Sequence, residues 1–222
     1  MASRRVPFLA ACLMRFAFVL ALGAGVMTSS ARASDWRFAT PFEACRGDCA
    51  FTFYGGTFAQ TPMYQIFVTK GVPPWQWRWK DSYLVAGTLS REVLAYRDWA
   101  AIELEAGAGQ RFGFLQEGEF WGAVYFRWKW FPWNDYLRTT VAISTGLNYA
   151  TDVPPYERFR TDSPKSPRTL HYLSPEITFG LPSAPNLDLV LRLHHRSGGR
   201  ANIFNSASGG AQYGTAGIRY RF

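Results

Sequence analysis

Apolar and polar side chains alternate with a period of two over most of residues 50–222. In the last stretch Ala216, Ile218, Tyr220 and Phe222 share one parity, and Arg219 and Arg221 hold the other. Successive side chains of a strand point to opposite faces, so this pattern predicts a strand with one apolar and one polar face. Segments of the same kind lie at 50–60, 78–95, 99–109, 118–131, 137–149, 169–181, 187–197 and 211–222. Gly55, Gly56 and Gly87 interrupt the parity of the first two. The expectation is an all-β chain of eight antiparallel strands.

The two ends indicate the solvent in which those strands sit. Residues 16–27 are apolar, Arg15 precedes them, and Ala31-Arg32-Ala33 follows. A positive start, an apolar core and small residues at the cleavage site describe a secretory signal peptide, cut before Ser34. Met14 would serve as an equally good start for this leader. Leu9-Ala10-Ala11-Cys12 has the form of a lipoprotein acylation site, but too few apolar residues precede it. Arg4-Arg5 resembles a twin-arginine signal, but a membrane barrel must cross the inner membrane unfolded. At the other end, a last strand closing on an aromatic resembles the signal that the outer-membrane barrel assembly machinery reads. Beyond residue 33 no apolar run approaches the 18 or so residues of a membrane helix. Open sheet edges are not tolerated in hydrocarbon, so membrane residence requires a closed barrel. The expected organisation is a signal peptide over 1–33, a periplasmic segment over 34–50, and an eight-stranded antiparallel transmembrane β-barrel over 51–222. Its expected location is the outer membrane of a Gram-negative cell.

The connections fit that topology. With both ends in the periplasm, short turns should join alternate strands. They are expected around Arg97-Asp98, over Pro132–Asp135 and over Pro182–Asn186. The opposite connections should be longer. One, 150–168, is rich in Pro, Asp, Ser and Arg, and another, 198–210, in Gly, Ser, Asn and Ala; that near 110–117 is shorter than expected. Aromatic residues make up 17% of the chain, with nine Trp, and barrels use them as girdles at both interfaces. Tyr96, Trp99, Trp130, Trp133 and Tyr136 cluster at the periplasmic turns; Trp75, Trp77, Trp79 and Trp121 are expected near the outer end.

Charge falls on the inner parity. Glu103 and Glu105 on the third strand should meet Arg127 and Lys129 on the fourth. Glu176 shares that parity with Asp188, Arg192 and Arg196. An eight-stranded barrel is filled by its side chains, so a paired polar core is expected, not a channel. A soluble barrel would invert this pattern. The formal charge of +8 falls to +4 once Arg4, Arg5, Arg15 and Arg32 leave with the signal peptide. No basic cluster interleaves with stacking aromatics, so no nucleic-acid partner is expected; a mild positive excess suits lipopolysaccharide. Cys45 and Cys49, spaced Cys-Arg-Gly-Asp-Cys, are expected to form a local disulfide in an oxidising compartment. Too few further ligands lie nearby for a metal, and no cofactor is expected.

One stretch carries candidate chemistry. The seventh strand reads Leu187-Asp-Leu189-Val-Leu191-Arg-Leu193-His-His195-Arg-Ser197-Gly-Gly. His195 and Ser197 continue the lipid-facing parity of the leucines at the outward-running end. Two polar side chains at i and i+2 on one face let His195 act as general base to a Ser197 nucleophile. Gly198 and Gly199 follow as candidate oxyanion donors through their backbone N–H groups. If Leu181 pairs with Leu187 across the hairpin, then Leu173 pairs with His195 and His171 with Ser197. All three histidines would then gather at one outer rim.

His-x-Ser at the end of the penultimate strand, then a Gly-rich loop and a final strand ending in an aromatic, resembles the PagL-type lipid A 3-O-deacylases. The stretch from Ser174-Pro-Glu176 to His194-His195-Arg196-Ser197-Gly198 is also similar to alphaproteobacterial outer-membrane proteins related to that family. The resemblance implies a serine esterase on the outside of the barrel that removes an ester-linked acyl chain from lipid A. The architecture matches throughout, the motif only over about the last 50 residues. The family's third member is a Glu in or near the final strand that orients the His. No acidic residue follows Asp188 here. Gln212 is the nearest outward candidate, and an amide does not stabilise imidazolium as a carboxylate does. The alternative is a non-catalytic structural or adhesive barrel that contacts lipopolysaccharide through its His and Arg residues and long loops.

Overall fold

The computed structural model describes residues 35–153, 168–198 and 210–222. The expected signal peptide lies outside the described residues. Ten strands run through the rest: β1 (Trp36–Phe38), β2 (Cys49–Ala59), β3 (Trp79–Tyr96), β4 (Ala100–Gly113), β5 (Gly118–Trp128), β6 (Arg138–Ala150), β7 (Thr169–Leu173), β8 (Pro175–Gly180), β9 (Leu187–Ser197) and β10 (Gly210–Arg221). Every pairing is antiparallel. Neighbouring strands pair in chain order from β2 to β10, with β7 and β8 lying end to end between β6 and β9, and β10 returns to β2, so the sheet closes on itself. Closure removes the unpaired edge that an open sheet would leave. Among the described residues no helix is long and apolar enough to cross a membrane.

The eight expected strands are all present, and β7 with β8 together make the sixth. They keep one register against β9, from His171 opposite Ser197 to Phe179 opposite Leu189. The break falls at Ser174 because Pro175 has no N–H to give the ladder. Ser174 compensates locally: its N–H donates to Ser144 Oγ at 2.8 Å, and its carbonyl accepts from Ser144 N at 3.2 Å. β1 is an addition at the turn end of the barrel, where Trp36 pairs with Tyr96 on β3. Their rings lie 4.8 Å apart, and Tyr96 continues to Trp99 and Trp130. The expected aromatic girdle therefore extends into the N-terminal segment.

Parity decides inside from outside, as expected. Ile218, Tyr220 and Phe222 are exposed on the outer wall, while Arg219 is buried in the lumen against Glu103 at 2.9 Å. Mid-lumen, Arg127 bridges Glu103 and Glu176, both at 2.6 Å. Arg192 bridges Glu105 at 2.8 Å and Glu176 at 2.7 Å. Lys129 goes to Glu92 at 2.9 Å instead of the expected β4 acids. Asp188 takes Arg138 at 2.6 Å and Arg221 at 3.2 Å. Buried charges persist only when paired and hydrogen-bonded, and this ladder meets that condition along the barrel axis.

Trp121 is a correction to the expected outer girdle. Its ring points into the lumen, stacks on Tyr172 and donates from Nε1 to Glu105 at 3.0 Å. Gly107 opposite makes room: a Cβ there would come within 2.2 Å of the indole. The neighbouring inward positions on β5 are Glu119, Ala123, Tyr125 and Arg127, so this Trp follows the inner parity of its strand.

At the turn end Cys45 and Cys49 form the expected disulfide. The small loop it closes carries Asp48, which accepts from Arg46 N at 2.7 Å and Arg91 Nε at 2.9 Å. Burial pushes the Asp48 carboxyl up, but these two donors outweigh it and hold it below its ordinary value of 3.8. Its contribution is therefore full above the usual carboxylate range and fades as pH falls through the lowered value.

Candidate functional site

β9 presents its side chains in strict alternation. Leu187, Leu189 and Leu191 are exposed on the outer wall, and Asp188, Val190, Arg192, His194 and Arg196 are buried inside. His195 and Ser197 continue the outer row and are half-buried. Rise per residue in a strand places them roughly 7 Å apart along the same face. The register expected from the hairpin holds: His171 lies opposite Ser197, and Leu173 opposite His195. On the other side Gln212 of β10 lies opposite His195, and Gly210 opposite Ser197. So Ser197, His195, His171 and Gln212 form one patch on the outer wall at the loop end.

Within the patch, His171 and Gln212 each hold a partner outside the His195–Ser197 pair. His171 Nε2 and Thr145 Oγ1 of β6 are 2.9 Å apart. That bond draws the His171 ring toward β6 and away from Ser197 on β9. Gln212 is 6% exposed, and its Nε2 donates to the Thr61 carbonyl at 2.8 Å. Its amide is thus used to hold a loop. Gly198 is buried just beyond the strand, and Gly199 lies outside the described residues.

His194 is not part of the patch, against the expectation that three histidines share one rim. Its parity is inward and it is fully buried. Its Nδ1 lies 3.0 Å from Tyr54 Oη, and its Nε2 lies 3.2 Å from Glu119. Glu119 also takes Arg111 at 2.9 Å and Asn148 at 2.8 Å. This knot packs the lumen directly behind His195 and stiffens the wall that carries it.

Two contributors were not singled out from the sequence. Thr145 is one. It follows Val141 and Ile143 on the outward parity of β6, so a polar residue in an apolar row was its signal. The other is the segment 60–78 between β2 and β3. It turns back over the outer wall at β10: Gln212 grips Thr61, and the Trp77 and Trp79 rings sit where a Cβ on Gly214 would meet them at 2.8 and 2.7 Å. Trp77 Nε1 donates to the Val72 carbonyl at 2.8 Å, which fixes the bend. Beneath the strap Leu193 is 4% exposed, against 42% for Leu191 on the same row. The strap and the wall enclose an apolar groove of about 1120 Å³.

The arrangement can present a hydroxyl and an imidazole to a bond lying at the barrel surface, with an apolar groove one rung below. Among the described residues no group of three or more His, Cys, Asp or Glu is placed to hold a metal ion.

Neither a protein-family profile nor a curated protein matches the chain. Solved structures do. The outer-membrane enzyme PagL superposes with a TM-score of 0.52 at 10% identity, over 78% of this chain and 99% of that one. Neisserial surface protein A gives 0.48 at 11% identity, over 81% and 100%. A designed transmembrane β-barrel gives 0.42 at 14% identity, over 81% and 99%. At such identities the likeness is one of fold. The fold is that of an eight-stranded outer-membrane β-barrel.

Proposed function

We propose that the chain resides in the outer membrane and is a serine esterase that removes an ester-linked acyl chain from lipid A in the outer leaflet. The observation that carries this reading is the placement of Ser197 and His195 on the outward face of β9, at the loop end and flanked by His171. It agrees with the His-x-Ser resemblance to the lipid A deacylases. Polar groups on a lipid-facing wall are costly, though less so near the interface, so their presence there asks for a use.

In this reading the Ser197 hydroxyl attacks the ester carbonyl while His195 takes its proton. The carbon–oxygen bond to the sugar then breaks, and His195 returns the proton to the departing alkoxide. Water, activated by the same imidazole, hydrolyses the acyl-serine to a free fatty acid and restores the hydroxyl. The Gly198 backbone N–H is the donor candidate for the oxyanion, with Gly199 beside it in sequence. His171, tethered to Thr145, acts as an auxiliary polar group. The Ser197 hydroxyl must come within hydrogen-bond reach of His195 when substrate binds, since catalytic geometry commonly tightens only in the complex.

A second reading has its own observation. Gln212, the residue best placed in sequence to orient His195, donates instead to the Thr61 carbonyl. A barrel that binds lipopolysaccharide through this histidine patch and its loops without catalysis accounts for that. The deciding experiment is mass spectrometry of lipid A incubated with the purified, folded barrel. Loss of one hydroxyacyl mass is expected. Ser197→Ala and His195→Ala should each abolish it, because members of such a pair act as a unit. An unchanged lipid A spectrum with folded protein would leave the non-catalytic reading standing.

A further inference from the structure

A cavity of about 750 Å³ lies at the turn end of the barrel, between the N-terminal segment and the ends of β3, β6 and β10. Its size falls within the roughly 300–1,000 Å³ usual for small-molecule sites. Six cationic side chains line it against four carboxylates, and Asp188, on which two of the cations close, makes five. The excess positive charge sits at the floor. Arg91 is matched by Asp48 at 2.8 Å, and Lys129 by Glu92 at 2.9 Å. Arg138 and Arg221 have Asp188 between them, at 2.6 and 3.2 Å. Arg138 uses Nε and Nη2 on Asp188 and on the Ala184 and Leu187 carbonyls. Among the described residues its Nη1 donates to no acceptor, and neither does Arg221 Nε. The rim is balanced and loosely held. Arg37 and Asp98 stand 3.8 Å apart, both exposed, a pair that solvent screens, and Arg46 and Glu43 are exposed beside them. Ala39, Ala44 and Ala95 give the cavity an apolar side.

Guanidinium N–H groups turned into a cleft make charge-assisted bonds to a carboxylate, and two guanidiniums on one floor hold it from two sides. Beyond that floor the cavity is balanced or apolar. A second negative charge on the ligand would lose water there without gaining a cation. We propose that this mouth binds a single carboxylate carried on a small apolar body, with the carboxylate at Arg138 and Arg221 and the body along Ala39, Ala44 and Ala95. A short-chain acid and the carboxyl end of a short peptide share this chemistry. In the outer-membrane orientation proposed above, the mouth opens to the periplasm, so the ligand arrives from that side. The site lies at the opposite end of the barrel from Ser197 and does not rest on the esterase reading.

The test is a ligand-detected NMR titration of the whole mature protein in detergent micelles at neutral pH. The probes are butyrate, succinate, N-acetyl-tri-alanine and the C-terminal amide of that peptide. Butyrate and the acetylated peptide should bind saturably, one per barrel. The amide, which lacks the charge, should bind about tenfold more weakly or worse. Succinate, which has the length of butyrate and a second carboxylate, should also bind more weakly than butyrate. Arg138→Gln should weaken butyrate and the acetylated peptide by a similar factor of about ten. Glu43→Gln releases a cation at the rim and should narrow the gap between succinate and butyrate. Heat-modifiable gel migration verifies each variant as a folded barrel. Glu43 is exposed, so its variant decides the matter if Arg138→Gln does not fold. Equal binding of the peptide and its amide, succinate binding tighter than butyrate, or no saturable binding by folded protein overturns the proposal. The tighter of butyrate and the acetylated peptide tells a free acid from a peptide end, and either order upholds the site.

Discussion

Residue 212 shows how much one side chain's partner matters. As a sequence position it stands opposite His195, where a carboxylate would complete a relay. In the folded chain its amide N–H serves Thr61 at 2.8 Å. Gln212→Glu would therefore exchange a donor for an acceptor facing a carbonyl oxygen. The expected outcome is a strap that opens, read as faster protease cleavage within 60–78, with no gain in acyl release. A rise in deacylation with an intact strap would show instead that a carboxylate at this position can turn to His195. His171 is tied down in the same way by Thr145, so Thr145→Val should alter acyl release less than Ser197→Ala does.

At the scale of elements, β10 is the most demanding strand, because it closes the barrel against both β2 and β9. Spin labels at Ile218 and Tyr220 should be accessible to a lipid-soluble quencher, and labels at Arg219 and Arg221 shielded from it. The reverse pattern would overturn the assignment of faces. The disulfide loop is a smaller element. It closes only the short turn between Cys45 and Cys49, and a loop that short removes little entropy from the unfolded chain. The Cys45→Ser/Cys49→Ser protein should still show heat-modifiable migration. Failure to do so would make the loop a condition of closure, acting through its bonds to the Phe222 backbone at the end of β10.

For the whole molecule, the paired charges buried in the lumen are the interactions most costly to break. Glu176 holds Arg127 and Arg192 together. Glu176→Ala would leave Arg127 with Glu103 and Arg192 with Glu105 but take a shared carboxylate from both, a loss of up to about 3–5 kcal/mol, the cost of breaking a buried pair. Urea titration followed by gel migration should place its unfolding midpoint well below that of the native barrel. A midpoint unchanged from native would mean that Glu103 and Glu105 absorb both cations and that the ladder is redundant.

Faces and register were legible in the sequence because both follow from local geometry. A strand alternates with a period of two whatever surrounds it, so His195, Ser197 and the leucines fall on one wall. The five-residue turn 182–186 sets the hairpin register, so counting back from it places His171 beside Ser197. Two outcomes were settled only in three dimensions. Which acid meets which base depends on the lumen's width and the tilt of its strands, and so Lys129 went to Glu92 and Glu105 to Arg192. The strap over β10 depends on contacts between residues far apart in the chain. Gln212 with Thr61, and Gly214 with Trp77 and Trp79, leave no periodic trace in sequence, and yet they build the groove beside the candidate site.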